Sequence, residues 1–249
     1  MVALGYRPKL FTVKDPSQYP ALLRQLYHTG TMGIILHRAI WEPGCGGDGW
    51  ENFSLTHCQP LHDRPPIHTV RSAVYRKTVE IARRMEALGY QRVAQVVMVH
   101  DQLLEHPDDS SRMASALEGY YRHKRKWPQP LQLLFTEPFE QQVEKIYQYQ
   151  VSSRCDGIVV PTAGIAQWLL ESERQDPATR PGIAAALISE EAGGISGMVN
   201  NGRQLADQAA LLLDQQIRNN RKGFPEFPVD VVVPTTWWDG ASLPPLVTA

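Results

Sequence analysis

The sequence predicts an α/β fold of two lobes, each a parallel sheet flanked by helices. Three observations predict it. Helical periodicity alternates with short apolar runs along almost the whole chain. The apolar runs are continuous rather than alternating, as in Gly33-Ile34-Ile35-Leu36, which marks strands buried on both faces of a parallel sheet. Segments also echo one another in the same order. Val2-Ala3-Leu4-Gly5-Tyr6 matches Glu86-Ala87-Leu88-Gly89-Tyr90, and Gly33-Ile34-Ile35-Leu36 matches Gly157-Ile158-Val159-Val160. Two similar lobes follow, and a length of 249 residues accommodates them.

The elements follow in order. Lys9 to Val13 reads as a short strand. Tyr19 to His28 carries Leu22, Leu23 and Leu26 at helical spacing and is closed by Gly30. Gly33 to His37, Phe53 to Thr56 and Ile67 to Val70 read as strands. Tyr75 to Leu88 is a helix ended by Gly89, and Val93 to Val99 is a buried strand. Helix Ser110 to Tyr121, strand Leu131 to Phe135, helix Phe139 to Gln150 and strand Gly157 to Val160 continue the alternation. Helix Ile165 to Glu173, strand Ile183 to Ile188, the amphipathic helix Gly202 to Asn219 and strand Val229 to Val233 complete it. In the first echo a helix ends on glycine, which supplies the left-handed cap. The chain thus opens at the tail of a helix, and a strand and helix before Gly5 are expected in a longer parent chain.

Composition narrows the function. Lys and Arg number 25 against 26 Asp and Glu, a net charge of −1, which argues against a phosphate-neutralising surface on this segment. No apolar stretch is long enough to span a membrane. The first residues have neither the basic region nor the apolar run of an export signal, so a cytoplasmic location is expected, with Cys45, Cys58 and Cys155 as free thiols.

Catalytic signatures are weak. Gly44-Cys45-Gly46-Gly47-Asp48-Gly49 fits a dinucleotide-binding string literally, but Trp50-Glu51-Asn52-Phe53 opens no helix to meet a pyrophosphate, so the string reads as a surface loop. Cys45, His57, Cys58, His62 and His68 are zinc-compatible residue types without a compact zinc spacing, so neither a metal nor any other cofactor is expected. The acidic pairs Asp108-Asp109 and Glu190-Glu191 read as solvated element ends. The reading is a binding protein, not an enzyme.

Several segments, in order, resemble the effector-binding core of LacI/GalR-family transcriptional regulators. They are Tyr19 to Arg24 with Gly33 to Leu36; Tyr75 to Leu88 with Gly89-Tyr90-Gln91-Arg92-Val93-Ala94; Ser110-Ser111-Arg112 with Gly119-Tyr120-Tyr121; Asp156 to Val160; and Gly202 to Ile217 with Pro228 to Pro234. The resemblance covers almost the whole chain. It implies two Rossmann-like lobes of the periplasmic-binding-protein-like type I fold, with the family's first strand and helix falling before Met1. It implies an N-terminal lobe of residues 1–71 and 200–234, and a C-terminal lobe of residues 72–199 and 235–249. It further implies a homodimer that controls operator DNA through a helix-turn-helix absent from this chain.

Parallel α/β sheets bind ligands outside the carboxyl ends of their strands. In the first lobe this rule selects His37, Arg38 and His57. In the second it selects His100, Asp101, Glu137, Thr162, Ser189 and Glu190. The resemblance implies that His37 contacts a small polar effector. The family's usual Asn-Asp is replaced by Thr162-Ala163, and its Gly-Phe/Tyr-Asp by Leu187-Ile188-Ser189. Its sugar-gripping Arg is replaced by Ala116. Arg112, one helical turn earlier on the same face, either takes that role or caps a solvated helix end. Trp237-Trp238 is expected to pack in the core, the alternatives being a cleft wall or a hinge closure. Rival readings are a solute-binding protein of a transport system, and an enzyme built on the loop of residues 45–68.

Overall fold

A computed structural model describes residues 1, 4–37, 47–60, 66–99, 109–121, 130–134, 136–172, 180–189 and 193–246. The chain divides into two compact units, Met1–Ser72 with Asn201–Val233, and Ala73–Asn200 with Pro234–Ala249. Three crossings of the backbone separate them.

The first unit holds a four-stranded sheet. Strands β1 (Gly33–His37), β2 (Ser54–Cys58), β3 (His68–Ser72) and β9 (Asp230–Val233) lie in that order, every neighbouring pair parallel. Helix α1 (Tyr19–His28) covers one face. Its Leu23 and Leu26 pack with Leu36, Leu55, Ile67 and the fully buried Trp50 and Phe53. Helix α6 (Gly202–Arg218) covers the other, where Leu205 and Ala209 meet Cys58, Val70 and Val233. Gly33 lets α6 sit close over β1: a Cβ there meets the methyls of Leu213 and Ile217 at 3.0 Å, so those side chains would have to shift slightly.

The second unit holds six strands in the order β10-β8-β7-β6-β4-β5: β4 (Val93–Val99), β5 (Leu131–Leu134), β6 (Gly157–Val160), β7 (Gly182–Ile188), β8 (Ser196–Val199) and β10 (Trp237–Trp238). All pairs are parallel except β10 on β8. Helices α4 (Phe139–Ser153) and α5 (Ala163–Glu171) pack on one face through Ile146, Ile165 and Leu169 against Ala94, Val96, Ile158 and Ile183. On the other face, helix α2 (Val74–Ala87) and helix α3 (Asp109–Tyr121) contribute Ile81, Met85 and Met113 against Val93, Val159 and Ala184. At the amino edge the Asp156 carboxylate accepts the N–H groups of Gln91 and Arg92 at 2.7 and 2.8 Å, tying the start of β4 to that of β6.

The predicted α/β class and the parallel sheets flanked by helices are thus present. Several details differ. Lys9 to Val13 joins no sheet among the described residues. The strand expected over Phe53 to Thr56 is displaced and runs on to Cys58, because β1 pairs with it residue for residue from Gly33–Ser54 to His37–Cys58. Strands β8 and β10 are additions. Trp237-Trp238 forms the antiparallel edge β10; Trp237 is half-buried under the Arg84 guanidinium, 5.5 Å from its ring centre, and Trp238 is 49% exposed. The core packing expected for the pair is therefore met by one indole only. Both echoed glycines, Gly5 and Gly89, have left-handed φ values of 84° and 95°, but only Gly89 hands over to a strand.

Candidate functional site

A parallel sheet sends every strand's carboxyl end to one edge, so polar residues just past those ends form a common rim. In the first unit His37 is the exposed last residue of β1. His57 is next to last in β2, in register with Leu36 and Thr69, and only 1% exposed. The extra length of β2 thus draws His57 into the sheet rather than leaving it in the loop beyond. It also separates His57 from Cys58: successive strand residues point to opposite faces, so the two do not converge as a ligand pair. The third member of that cluster, His68, accepts the Val229 N–H through Nδ1 at 3.0 Å, which assigns it to fastening β9. Burial, followed by the nearby positive Arg221, holds its pKa below the usual histidine value.

Sequence reasoning missed the polar cluster at this edge. Gln59, Ser72 and Asn201 follow or end β2, β3 and the crossing into α6. The Ser72 hydroxyl donates to Asn201 Oδ1 at 3.1 Å and accepts from Gln59 Nε2 at 3.2 Å. Asn201 Nδ2 donates to the Val233 carbonyl at 3.3 Å. Ser72 and Asn201 are nearly fully buried, and the cluster ties together all three chain crossings from within the first unit. Gln59 has a left-handed φ of 54°, and its N–H donates to the Val70 carbonyl at 2.8 Å. Nothing in local patterning marks these residues, because register alone brings them together.

In the second unit, Thr162 and Ser189 follow the neighbouring strands β6 and β7, and both are exposed. Thr162 is the extended N-cap of α5; its carbonyl accepts the Ala166 N–H at 3.2 Å while its hydroxyl makes no capping bond. Asn200, after β8, donates its N–H to the Ile188 carbonyl at 2.8 Å, completing the row. Glu137 lies past the edge strand β5, away from that row, with Oε1 paired to Lys145 on α4. Its Oε2 is buried and has no hydrogen-bond partner among the described residues. Arg38, His100, Asp101 and Glu190 lie outside the described residues, as does the side chain of Arg112. Ala116 is buried on α3.

The dinucleotide-like string ends at Gly49 on a 3-10 turn, Trp50–Asn52, rather than a helix, with Trp50 buried in the core. That geometry offers no helix N-terminus to a pyrophosphate. Among the described residues, no helix is long and apolar enough to cross a membrane.

No protein-family model matches the chain, and no curated protein is significantly similar to it in sequence. Solved structures are similar in fold. A CelR transcriptional regulator in complex with cellobiose matches with a TM-score of 0.72 at 13% identity, over 97% of this chain and 75% of that one. A LacI-family transcriptional regulator from Enterococcus faecium with bound ribose matches with a TM-score of 0.67 at 15% identity, over 96% and 87%. A periplasmic binding protein/LacI transcriptional regulator from Alkaliphilus metalliredigens, complexed with D-xylulofuranose, matches with a TM-score of 0.65 at 13% identity, over 92% and 84%. At such identities the likeness is one of fold, and at that level the resemblance read from the sequence is borne out.

Proposed function

We propose that this chain is the ligand-sensing and dimerisation core of a LacI/GalR-like transcriptional regulator. Its effector is a small polar molecule, sugar-like or another metabolite, held by residues past the carboxyl ends of the strands in both units. His37 from the first unit, and Thr162, Ser189 and Glu137 from the second, are the described residues assigned to it. Arg38, His57, His100, Asp101, Arg112 and Glu190 complete the set read from the sequence. DNA binding belongs to a helix-turn-helix outside these residues, and the core works in the cytoplasm as a homodimer.

The observation that carries this reading is the fold. Two parallel-sheet units are joined by three crossings, match structures of sugar-complexed regulators over nearly the whole chain, and present polar side chains at the strand ends. Linkage supplies the regulatory logic: an effector shifts the angle between the units only to the extent that it binds one arrangement better than the other. Thr162 and Ser189 give neutral hydroxyls, and Ala163 only a methyl, where the family carries acids and amides, so the guest is held by fewer charge-assisted bonds than is usual in the family.

Thermal shift against a panel of monosaccharides, disaccharides and small metabolites tests the reading. A true effector raises the melting temperature progressively with concentration, by about 2.7 kcal/mol of stabilisation at one hundred times its Kd. His37→Ala and Thr162→Val should each weaken that effector about tenfold, the loss of one good hydrogen bond. A panel in which no ligand raises the melting temperature with concentration, or a ligand indifferent to both substitutions, contradicts the site. Light scattering should return twice the 28.0 kDa chain mass.

A further inference from the structure

The backbone crosses between the units at Ser72–Ala73, Asn200–Asn201 and Val233–Pro234. Each crossing is bonded close on both of its sides. On the first-unit side, Ser72 and Val233 are register partners in β3 and β9, so the ladder itself joins the first and third crossings. The second crossing lies outside the ladder. Asn201, the N-cap of α6, joins it to the pair: Oδ1 accepts from the Ser72 hydroxyl and Nδ2 donates to the Val233 carbonyl, 129 and 32 residues away in sequence. The Gln59 amide grips Ser72 as well, Oε1 accepting its N–H at 3.4 Å and Nε2 donating to its hydroxyl. On the second-unit side, the Ala73 carbonyl accepts the Lys77 N–H at 2.9 Å. There the Asn200 N–H donates to the Ile188 carbonyl and the Val199 N–H to the Thr236 carbonyl, both at 2.8 Å. The backbone between the two rows of bonds is short: the Ala73 dihedrals (φ −72°, ψ 66°), the link from Asn200 to Asn201, and Pro234-Thr235. Motion between two bodies is absorbed by a few such dihedrals at the ends of elements.

We propose that Asn201 is the positioning residue of the hinge: it fastens the second crossing to the paired first and third, so that the three links bend about one axis. Three links share an axis only when their ends are fixed to one another. A loose second crossing turns separately and spreads any change of angle over many arrangements. The task needs a donor and an acceptor at the end of one short side chain, which the Asn amide has and the isosteric Asp and Leu lack. Burial keeps the bonds made: Ser72 is 6% and Asn201 5% exposed, so water does not compete for them. Asn201 touches no guest in this role. Its regulatory meaning rests on the reading above, in which an effector acts through the angle between the units; the clamp itself does not, and it is tested with no effector present.

The test is amide exchange on the full chain, compared in the parent, Asn201→Ala and Thr56→Val. The last is a control: it loses the buried bond from Gln216 Nε2, in the first unit and away from the crossings. Asn201→Ala should speed exchange of the Val199 and Asn200 amides about fivefold, the equivalent of one hydrogen bond, although both belong to the second unit. Thr56→Val should leave these two amides unchanged. Ser72→Ala, which spares the bond to Val233, should speed them less, and adding it to Asn201→Ala should do nothing further. Faster exchange confined to the first unit overturns the proposal, because Asn201 then does no more than stabilise its own unit. Equal effects of Asn201→Ala and Thr56→Val on Val199 and Asn200 overturn it too, as do additive effects of Ser72→Ala and Asn201→Ala. If the exchange result holds while no sugar or metabolite raises the melting temperature, the effector reading fails and the clamp stands.

Discussion

Gly182→Ala should destabilise the second unit more than any other single methyl added to a strand-start glycine in that unit's sheet. Gly157 and Gly182 face each other in register at the starts of β6 and β7, and together they form the bed on which the Tyr90 ring lies. A Cβ at Gly182 meets Tyr90 Oη at 2.1 Å, Cζ at 2.3 Å and Cε1 at 2.5 Å. Ordinary contact begins near 3.4 Å, so the whole ring must retreat by more than an ångström. Retreat breaks the bond that Tyr90 Oη donates to the Pro244 carbonyl at 2.5 Å, and with it part of the fastening of the C-terminal segment. Overpacking costs about 1–3 kcal/mol and the bond about 1 kcal/mol more. For a unit of this size, a total of about 2–4 kcal/mol lowers the melting temperature by roughly 5–15 °C. Urea unfolding followed by tyrosine and tryptophan fluorescence measures it. The same methyl on a Tyr90→Leu background should cost less than half as much, since neighbours are non-additive. A Gly182→Ala protein within about 0.5 kcal/mol of the parent refutes the packing argument.

Tyr90 also sets an alkaline limit. Burial, reinforced by the Asp156 charge, pushes its pKa up to about 12, while the unfolded phenol ionises near 10. The unfolded state therefore loses its proton first, and stability should fall as pH rises from 10 towards 12; Tyr90→Phe should remove this component of the alkaline slope, and an unchanged slope contradicts it. His68 acts at the other end. Its folded pKa lies below 6.5, so the unfolded state takes up a proton first and stability should drop as pH falls below 6.5. His68→Gln should flatten that segment of the melting-temperature profile. Gln95 is fully buried in β4, and neither side-chain polar atom has a hydrogen-bond partner among the described residues, so Gln95→Met should raise stability by about 1 kcal/mol in urea titration. A loss of stability would point to a partner for the amide. Asn201→Ala removes the acceptor of the Ser72 hydroxyl and a donor to the Val233 carbonyl and should cost about 1–3 kcal/mol in the first unit's unfolding transition.

The legible parts of the fold are those that local chemistry decides. β6 and β7 are continuous apolar runs, and β4 is one broken only by Gln95, because they lie centrally and are covered on both faces, and the helices announce their buried stripes by period. β8 stayed hidden because Ser196-Gly197-Met198-Val199 has no such run. Its Gly197 is there for a close approach, a Cβ meeting the Ala185 carbonyl at 2.3 Å, which only the register with β7 explains. Lys9 to Val13 misleads in the opposite direction, since its residue types promise a strand that needs a neighbour. The candidate site divides in the same way. His37, Thr162 and Ser189 were readable because strand ends can be found from apolar runs. His57 was misplaced by the two unforeseen residues of β2, and the Gln59–Ser72–Asn201 cluster arises from three distant segments meeting at one edge.

Hydrogen exchange with and without the sugar or metabolite that most raises the melting temperature tests the central claim most directly. A guest held from both units should slow exchange together in peptides covering His37 and in peptides covering Thr162 and Ser189, with the amino ends of the strands unchanged. Protection confined to one unit, or absent while the ligand is saturating, would contradict it.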